Sequence, residues 1–136
     1  MSACLDASAV IAWLHDDHGA EAVGAALAQG RPCMSWINAG EVHYVVSRQE
    51  SHEAADRLLS QLRADVDLVD ATPPRVLAAA AVKAAHKMSY ADCFAVAAAI
   101  EQRVPLLTTD PEILSARLDG LRAVDIRSAR RGRRRP

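Results

Sequence analysis

Four acidic residues stand near the starts of helical patterns, a placement that admits two explanations. Asp6 and Asp110 each follow a short apolar run, and Glu41 and Asp92 lie within "NAGE" and "SYAD". Taken singly, each acid can stabilise the start of a helix, because a carboxylate there accepts hydrogen bonds from free backbone N–H groups or completes a capping box. In that reading Asn38 is the helix cap that pairs with Glu41.

Taken together, the four acids favour a shared site. Asp6, Asp92 and Asp110 belong to segments in which strands and helices alternate, which is typical of a parallel sheet. The carboxyl ends of parallel strands and the amino ends of the following helices lie along one edge, where open α/β sheets bind ligands. We therefore expect these three aspartates to meet at one crevice, with Glu41 within reach from the first turns of its helix.

Carboxylates gathered in this way would require a compensating charge. Two unit charges about 4 Å apart repel by roughly 4 kcal/mol at a protein surface, so without a cation at least one acid should retain its proton. Oxygen ligands of high negative charge suit Mg²⁺, or Mn²⁺, and the spacing of Cys and His residues does not favour zinc at this site. Such an ion could activate a water for attack on phosphorus and neutralise the leaving oxygen.

The apolar patterning predicts the elements that would position these acids. Five short apolar runs alternate with helical segments, and strand–helix–strand units of this kind cross over right-handed, so the sheet should be parallel and covered on both faces. The predicted strands cover 2–5, 31–35, 66–70, 105–109 and 122–126, and the predicted helices cover 6–15, 21–29, 36–49, 51–64, 73–86, 89–102 and 112–118.

In their order and spacing, the segments "LDASAVIAWL", "NAGE", "SYADCFAVAAA" and "LLTTD" resemble the PIN domain family. More narrowly, they are similar to the toxin ribonucleases of VapBC-type toxin–antitoxin pairs, over roughly residues 2–126. The resemblance implies a three-layer α/β/α sandwich with a mostly parallel five-stranded sheet and Mg²⁺- or Mn²⁺-dependent endonucleolytic cleavage of RNA. It also implies inhibition by a cognate antitoxin protein and assembly as a homodimer.

The resemblance assigns roles to particular residues. The four acids of the family pattern, which would be catalytic and would hold the metal, match Asp6, Glu41, Asp92 and Asp110, with Glu41 either a ligand or an orienter of water. Two hydroxyls would support them. Ser8 matches the hydroxyl that often follows the first acid, and Thr108 matches the threonine of the T-x-D element. For both, an ordinary polar residue at a strand-to-helix turn is the alternative.

Composition bounds the domain organisation. A chain of 136 residues that is 51% apolar can build one packed core. We assign residues 1–126 to a PIN-like nuclease domain and 127–136 to an arginine-rich tail that should be flexible. Six of the sixteen basic residues lie in this tail, which leaves ten bases against seventeen acids elsewhere, a net charge of −7. The tail could contact phosphates, although blocks of like charge are usually solvated.

Targeting signals and cysteine spacing bear on the compartment. The sequence has neither a long uncharged apolar run nor the start typical of an export signal, so we expect a soluble cytoplasmic protein without a membrane partner. Cys4, Cys33 and Cys93 match neither a disulfide framework nor a zinc motif, and we expect all three to be reduced and buried.

Two other functions fit parts of the sequence. A PIN-like module without catalytic activity could bind RNA or protein, although all four acids are present. A phospho-acceptor signalling domain is suggested by "HDDH" at 15–18 and by Asp70 before two prolines, but its acidic pair should end the first strand and here lies a helix later. The "HDDH" segment could also hold a metal, with a solvated loop as the expected alternative.

Overall fold

The computed structural model describes residues 2–127, which contain five short strands. All five belong to one sheet in which every neighbouring pair is parallel, as predicted. The strands are β1 (Cys4–Leu5), β2 (Cys33–Ser35), β3 (Asp67–Val69), β4 (Leu106–Thr108) and β5 (Ala123–Asp125), and their order across the sheet is β3-β2-β1-β4-β5.

Seven helices connect the strands, at the positions that the apolar patterns predicted. They are α1 (Ala7–Leu14), α2 (Ala20–Ala28), α3 (Trp36–Gln49), α4 (His52–Asp65), α5 (Pro73–Ala85), α6 (Tyr90–Gln102) and α7 (Pro111–Leu114). The last helix is shorter than the predicted 112–118. It ends early because the backbone N–H of Ala116 bonds the carbonyl of Ile113, three residues back, which tightens the last turn.

Successive strand residues face two separate cores, one on each side of the sheet. Leu5 and Met34 pack with buried residues of α1 to α4, whereas their neighbours Cys4 and Cys33 pack with α5, α6 and α7. This alternation follows from the two-residue period of a strand, and burial on both faces explains why the strands read as continuous apolar runs. The result is the predicted three-layer α/β/α sandwich.

The expectation of three reduced cysteines is wrong for two of them. Cys4 and Cys33 form a disulfide, and Cys93 is a free, buried thiol. The parallel register of β1 and β2 places Cys4 opposite Cys33, with 4.5 Å between their Cα atoms and both side chains on the same face of the sheet. A separation of 29 residues carries no indication of this pairing.

Two expectations concern the surroundings of the domain. None of the helices within residues 2–127 is long and apolar enough to cross a membrane. The predicted arginine-rich tail lies outside the described residues, except for Arg127, which contacts the carboxylate of Asp125.

Candidate functional site

The strand order places a natural binding crevice beside β1. From β1 the chain moves to β2 and β3 on one side, and later to β4 and β5 on the other, so the direction of winding reverses between β1 and β4. Ligands of open α/β sheets bind at this switch point, outside the carboxyl ends of the strands. Asp6 directly follows β1, and Asp110 follows β4 by two residues. Two of the predicted acids therefore flank the switch point.

Asp6 is buried and fully hydrogen-bonded. One carboxylate oxygen, Oδ1, accepts from the hydroxyl of Ser8 and from the backbone N–H of Ala9, each at 2.8 Å, and the other, Oδ2, accepts from the hydroxyl of Thr108. Burial raises the pKa of Asp6 despite these hydrogen bonds, and the charge of Asp110 raises it further. Asp6 thus caps α1, as the sequence indicated, in a position that its neighbours fix.

The two hydroxyls join the segment after β1 to the segment after β4. The oxygens of Ser8 and Thr108 are 3.3 Å apart, and the backbone N–H groups of Thr109 and Asp110 donate to Ser8 and Thr108, respectively, at 2.9 Å. Two chain segments that are about a hundred residues apart in sequence are therefore held by one network. These contacts are structural, and any catalytic role of either hydroxyl remains a prediction.

Asp92 and Asp110 face each other across the crevice. Asp92 lies in the first turn of α6, and Asp110 caps α7 by accepting from the backbone N–H of Glu112 at 2.8 Å. Burial, a hydrogen bond with Asp110 and the charge of Asp110 together raise the pKa of Asp92 to about 7, with burial the largest cause. Because two adjacent carboxylates resist ionising together, Asp92 keeps its proton to a higher pH than an ordinary aspartate does.

Glu41 approaches the same crevice from α3. Burial raises its pKa first, followed by the charges of Asp6 and Asp110. Its Oε1 atom is buried and has no hydrogen-bond partner among residues 2–127. A buried carboxylate oxygen without a donor is costly. Glu41 is therefore close enough for the charges of the other acids to raise its pKa. A cation or a hydrogen-bond donor at its buried oxygen would be stabilising.

Asn38 does not cap α3, so the capping-box interpretation of "NAGE" is wrong. Ser35 caps this helix by accepting a backbone N–H of the first turn at 3.1 Å. Asn38 is fully buried, and its Nδ2 donates to the carbonyl of Ala91 at 2.9 Å. The contact ties α3 to the start of α6, the two helices that carry Glu41 and Asp92.

The most compact group of carboxylates includes an acid that the sequence did not single out. One oxygen each from Asp92, Asp110 and Glu112 lies within 4.8 Å of the other two, whereas Asp6 and Glu41 fall outside this group. Glu112 is exposed, and the only signal for it was its place in "DPE", where it reads as a first-turn acid. The structure thus brings the four predicted acids into electrostatic contact and adds a fifth.

The donor set fits a hard divalent cation. Every candidate ligand is a carboxylate oxygen, three of the acids have raised pKa values, and one buried oxygen lacks a donor within the described part of the chain. Mg²⁺ and Mn²⁺ prefer such ligands, and a bound cation would supply the charge that the crowded carboxylates require.

The remaining sequence candidates lie elsewhere. Asp70 follows the edge strand β3, two strands away from β1, and is exposed. The "HDDH" residues at 15–18 are exposed and belong to no group of three or more convergent metal-ligating side chains within residues 2–127. The arrangement expected of a phospho-acceptor site is therefore not formed around Asp70.

The protein is a parallel α/β/α sandwich with acids at its switch point, and sequence comparison identifies its family. The sequence model of the PIN domain matches residues 3–118. This match covers most of the chain, and the protein belongs to the PIN domain family. A search of curated proteins found no match.

Solved structures with the same fold come from toxin–antitoxin systems. A toxin–antitoxin complex from Klebsiella pneumoniae is similar with a TM-score of 0.69 at 18% identity, covering 92% of this chain and 98% of that chain. DNA-bound VapBC from Salmonella typhimurium is similar with a TM-score of 0.72 at 14% identity, covering 93% of this chain and 98% of that chain. VapBC-1 from nontypeable Haemophilus influenzae is similar with a TM-score of 0.68 at 20% identity, covering 93% of this chain and 98% of that chain. At these identities the likeness establishes the fold.

Proposed function

We propose that this protein is a metal-dependent endoribonuclease and the toxin of a VapBC-type toxin–antitoxin pair. The observation that carries the proposal is the gathering of Asp6, Glu41, Asp92 and Asp110 around the switch point of a PIN fold. Each acid alters the pKa of at least one other or has its own pKa altered by one. Such crowding is unfavourable unless a cation binds there.

Asp6, Asp92 and Asp110 would hold Mg²⁺, with Mn²⁺ as the alternative, and Glu41 would bind the cation or orient a water. When bound, such a cation activates water for attack on phosphorus and neutralises charge on the leaving oxygen. Glu112 would add a ligand from the exposed side of the crevice. Hydroxyls of Ser8 and Thr108 keep Asp6 in place, so that its carboxylate does not have to be ordered when the substrate arrives.

The charge of the domain supports a role for the cation in admitting RNA. Residues 1–126 carry a net charge of −7, and the acids of the crevice would repel a phosphodiester backbone. Asp92, whose pKa is raised to about 7, must release its proton for both carboxylates to bind a cation. A bound divalent ion would therefore fix the ionised state of the pair and weaken the negative potential that a phosphate meets at the crevice.

The partners follow from the family and from the structural neighbours. The similar structures from Salmonella typhimurium and Rickettsia felis are VapBC bound to DNA. By analogy, we propose that a cognate antitoxin inhibits this protein, that it forms a homodimer, and that it acts on RNA in the cytoplasm.

The decisive experiment is RNA cleavage by purified protein. We expect structured RNA to be cut with Mg²⁺ or Mn²⁺, cleavage to stop with EDTA, and activity to be lost in Asp6→Asn and in Asp92→Asn. Asp70→Asn is the matched control, since it removes an exposed acid away from the crevice. Retained cleavage in both active-site variants would refute the mechanism, and tight RNA binding without turnover in either metal would favour a non-catalytic PIN module.

A further inference from the structure

A second group of metal-ligating side chains lies on α3 and α4, away from the acids. The two helices are joined by two residues, Glu50 and Ser51, and we call them the α3–α4 hairpin. His43 projects from α3, and His52 and Asp56 stand one turn apart on α4, where side chains four residues apart share a face. The group therefore joins the two arms of the hairpin.

The distances within this group suit a metal. Nε2 of His43 lies 2.8 Å from Oδ1 of Asp56, Nε2 of His52 lies 3.7 Å from Oδ2, and one ligand atom from each residue is within 4.8 Å of the others. Ligands that are about 2.0–2.1 Å from a tetrahedral zinc ion are about 3.3 Å from each other. The two observed separations, which go to different oxygens of Asp56, lie on either side of this value.

Buried neighbours fix the backbone positions of two of the three ligands, His43 and Asp56. Val42 precedes His43, Ala55 precedes Asp56, and both Val42 and Ala55 are 1% exposed and belong to the core beneath the hairpin. His43 and His52 also contact each other edge to face, with ring centroids 5.2 Å apart. The core thus holds the backbone that carries His43 and Asp56, and the edge-to-face contact places the His52 ring beside that of His43.

We propose that His43, His52 and Asp56 form a binding site for a borderline divalent transition metal, with zinc as the preferred ion. Imidazole nitrogen suits zinc, whereas the oxygen-only acids at the sheet edge suit Mg²⁺ or Mn²⁺, so the two sites differ in chemical class. Three protein ligands leave one position for water or for a ligand from another molecule. The bound ion would clip α3 to α4.

Asp56 is hydrogen-bonded to His43 and lies 3.7 Å from Nε2 of His52, so its carboxylate is already between the two rings. An ionised carboxylate and neutral imidazoles are the forms that bind a metal. The sequence spacing gave no indication of this group, because its members come together only through the pairing of two helices.

Calorimetric titration with zinc in excess Mg²⁺ tests the proposal, because Mg²⁺ occupies the acids and competes poorly for imidazole. We expect one zinc per chain, with affinity at least about tenfold lower in His43→Gln and in His52→Gln. His86 directly follows α5, and His86→Gln is the matched control. This variant should bind zinc with the affinity of the original protein. Zinc should also raise the melting temperature, and this rise should vanish in both hairpin variants.

Two outcomes would overturn the assignment. Unchanged zinc affinity in His43→Gln and His52→Gln would show that the group forms surface ion pairs only. An equal loss in His86→Gln would show adventitious coordination by scattered histidines. Melting temperatures without metal, measured for all three variants, establish that each one folds, and the RNA cleavage assay is not needed to read either result.

Discussion

Asp6 and Asp92 lie beside the same crevice but are held in opposite ways. Asp6 is 2% exposed, and three donors satisfy its two oxygens. Asp92 is half-buried and faces Asp110, and its pKa is raised to about 7. The first carboxylate is ordered by the protein itself, whereas the second is placed against a like charge.

The contrast indicates a division of labour within the site. A carboxylate that the fold already satisfies contributes to stability and presents a fixed oxygen to a ligand. A pair of opposed carboxylates stores repulsion that a cation would relieve. Asp6 should therefore matter for folding with or without metal, whereas Asp92 and Asp110 should matter chiefly for metal and catalysis.

The largest expected effect concerns activity. Asp110→Asn should lower the rate of RNA cleavage in Mg²⁺ by at least about a hundredfold, because it removes a charge at the reacting centre. Glu112→Gln, which changes an exposed acid of the same group, should cost about tenfold or less. Single-turnover cleavage of labelled RNA measures both. Equal losses in the two variants would contradict the larger role assigned to Asp110 than to the exposed Glu112.

Replacing Asp6 should have the largest effect on stability. Asp6→Ala removes the cap of α1 and leaves the hydroxyls of Ser8 and Thr108 without their acceptor, at a cost of about 2 kcal/mol. Urea unfolding in EDTA measures this loss. Asp92→Asn should not destabilise the metal-free protein, and a similar loss in both variants would show that the two acids do not differ.

The metal-free protein should become less stable as pH rises from about 4 to about 8. Folding raises the pKa values of Asp6, Glu41 and Asp92, so the folded state binds more protons than the unfolded state across this window. The raised pKa of Asp92 extends this loss of stability to about pH 7 and above. Asp92 accounts for about 1–2 kcal/mol of the loss after allowance for its partial exposure.

Urea unfolding in EDTA at several pH values, compared between the original protein and Asp92→Asn, isolates this contribution. The difference in stability between the two proteins should grow in favour of Asp92→Asn as pH rises through 7. Adding Mg²⁺ at pH 8 should stabilise the original protein more than the variant. A difference that is independent of pH would show that titration of Asp92 does not cause the pH dependence of stability.

The smallest predicted effect concerns the contact between α3 and α6. Asn38→Ala removes the side chain that donates to the carbonyl of Ala91, at a cost of about 1 kcal/mol. Ser47→Ala is a suitable control on the same helix, because its buried hydroxyl has no partner among residues 2–127 and its removal should cost little. Thermal unfolding distinguishes them, and equal stability would show that the Asn38 contact is weak.

Local sequence patterns predicted the fold, whereas they did not predict contacts between residues that are distant in the sequence. Apolar runs and helical spacing located all five strands, because strands that are buried on both faces leave a clear signal. Asp6 and Asp110 were correctly read as caps, since capping is local. The same local reasoning misassigned the cap of α3 to Asn38, because it took "NAGE" for a capping box and did not consider Ser35, the last residue of the predicted strand 31–35.

The other differences also arise from tertiary pairing. The disulfide depends on the register of β1 and β2, and the approach of Glu112 to Asp92 depends on how α7 lies against α6. The histidine group on the α3–α4 hairpin requires two helices to pack. Spacing in the sequence carries none of this information, although each residue type alone was compatible with the contact it makes.

Binding of Mn²⁺ to the metal-free protein tests the central claim most directly. Calorimetric titration should detect binding that weakens by at least about tenfold in Asp92→Asn and in Asp110→Asn, and that is unchanged in His43→Gln. An affinity for Mn²⁺ that neither aspartate variant reduces would contradict the account, because the opposed carboxylates at the switch point would then hold no cation.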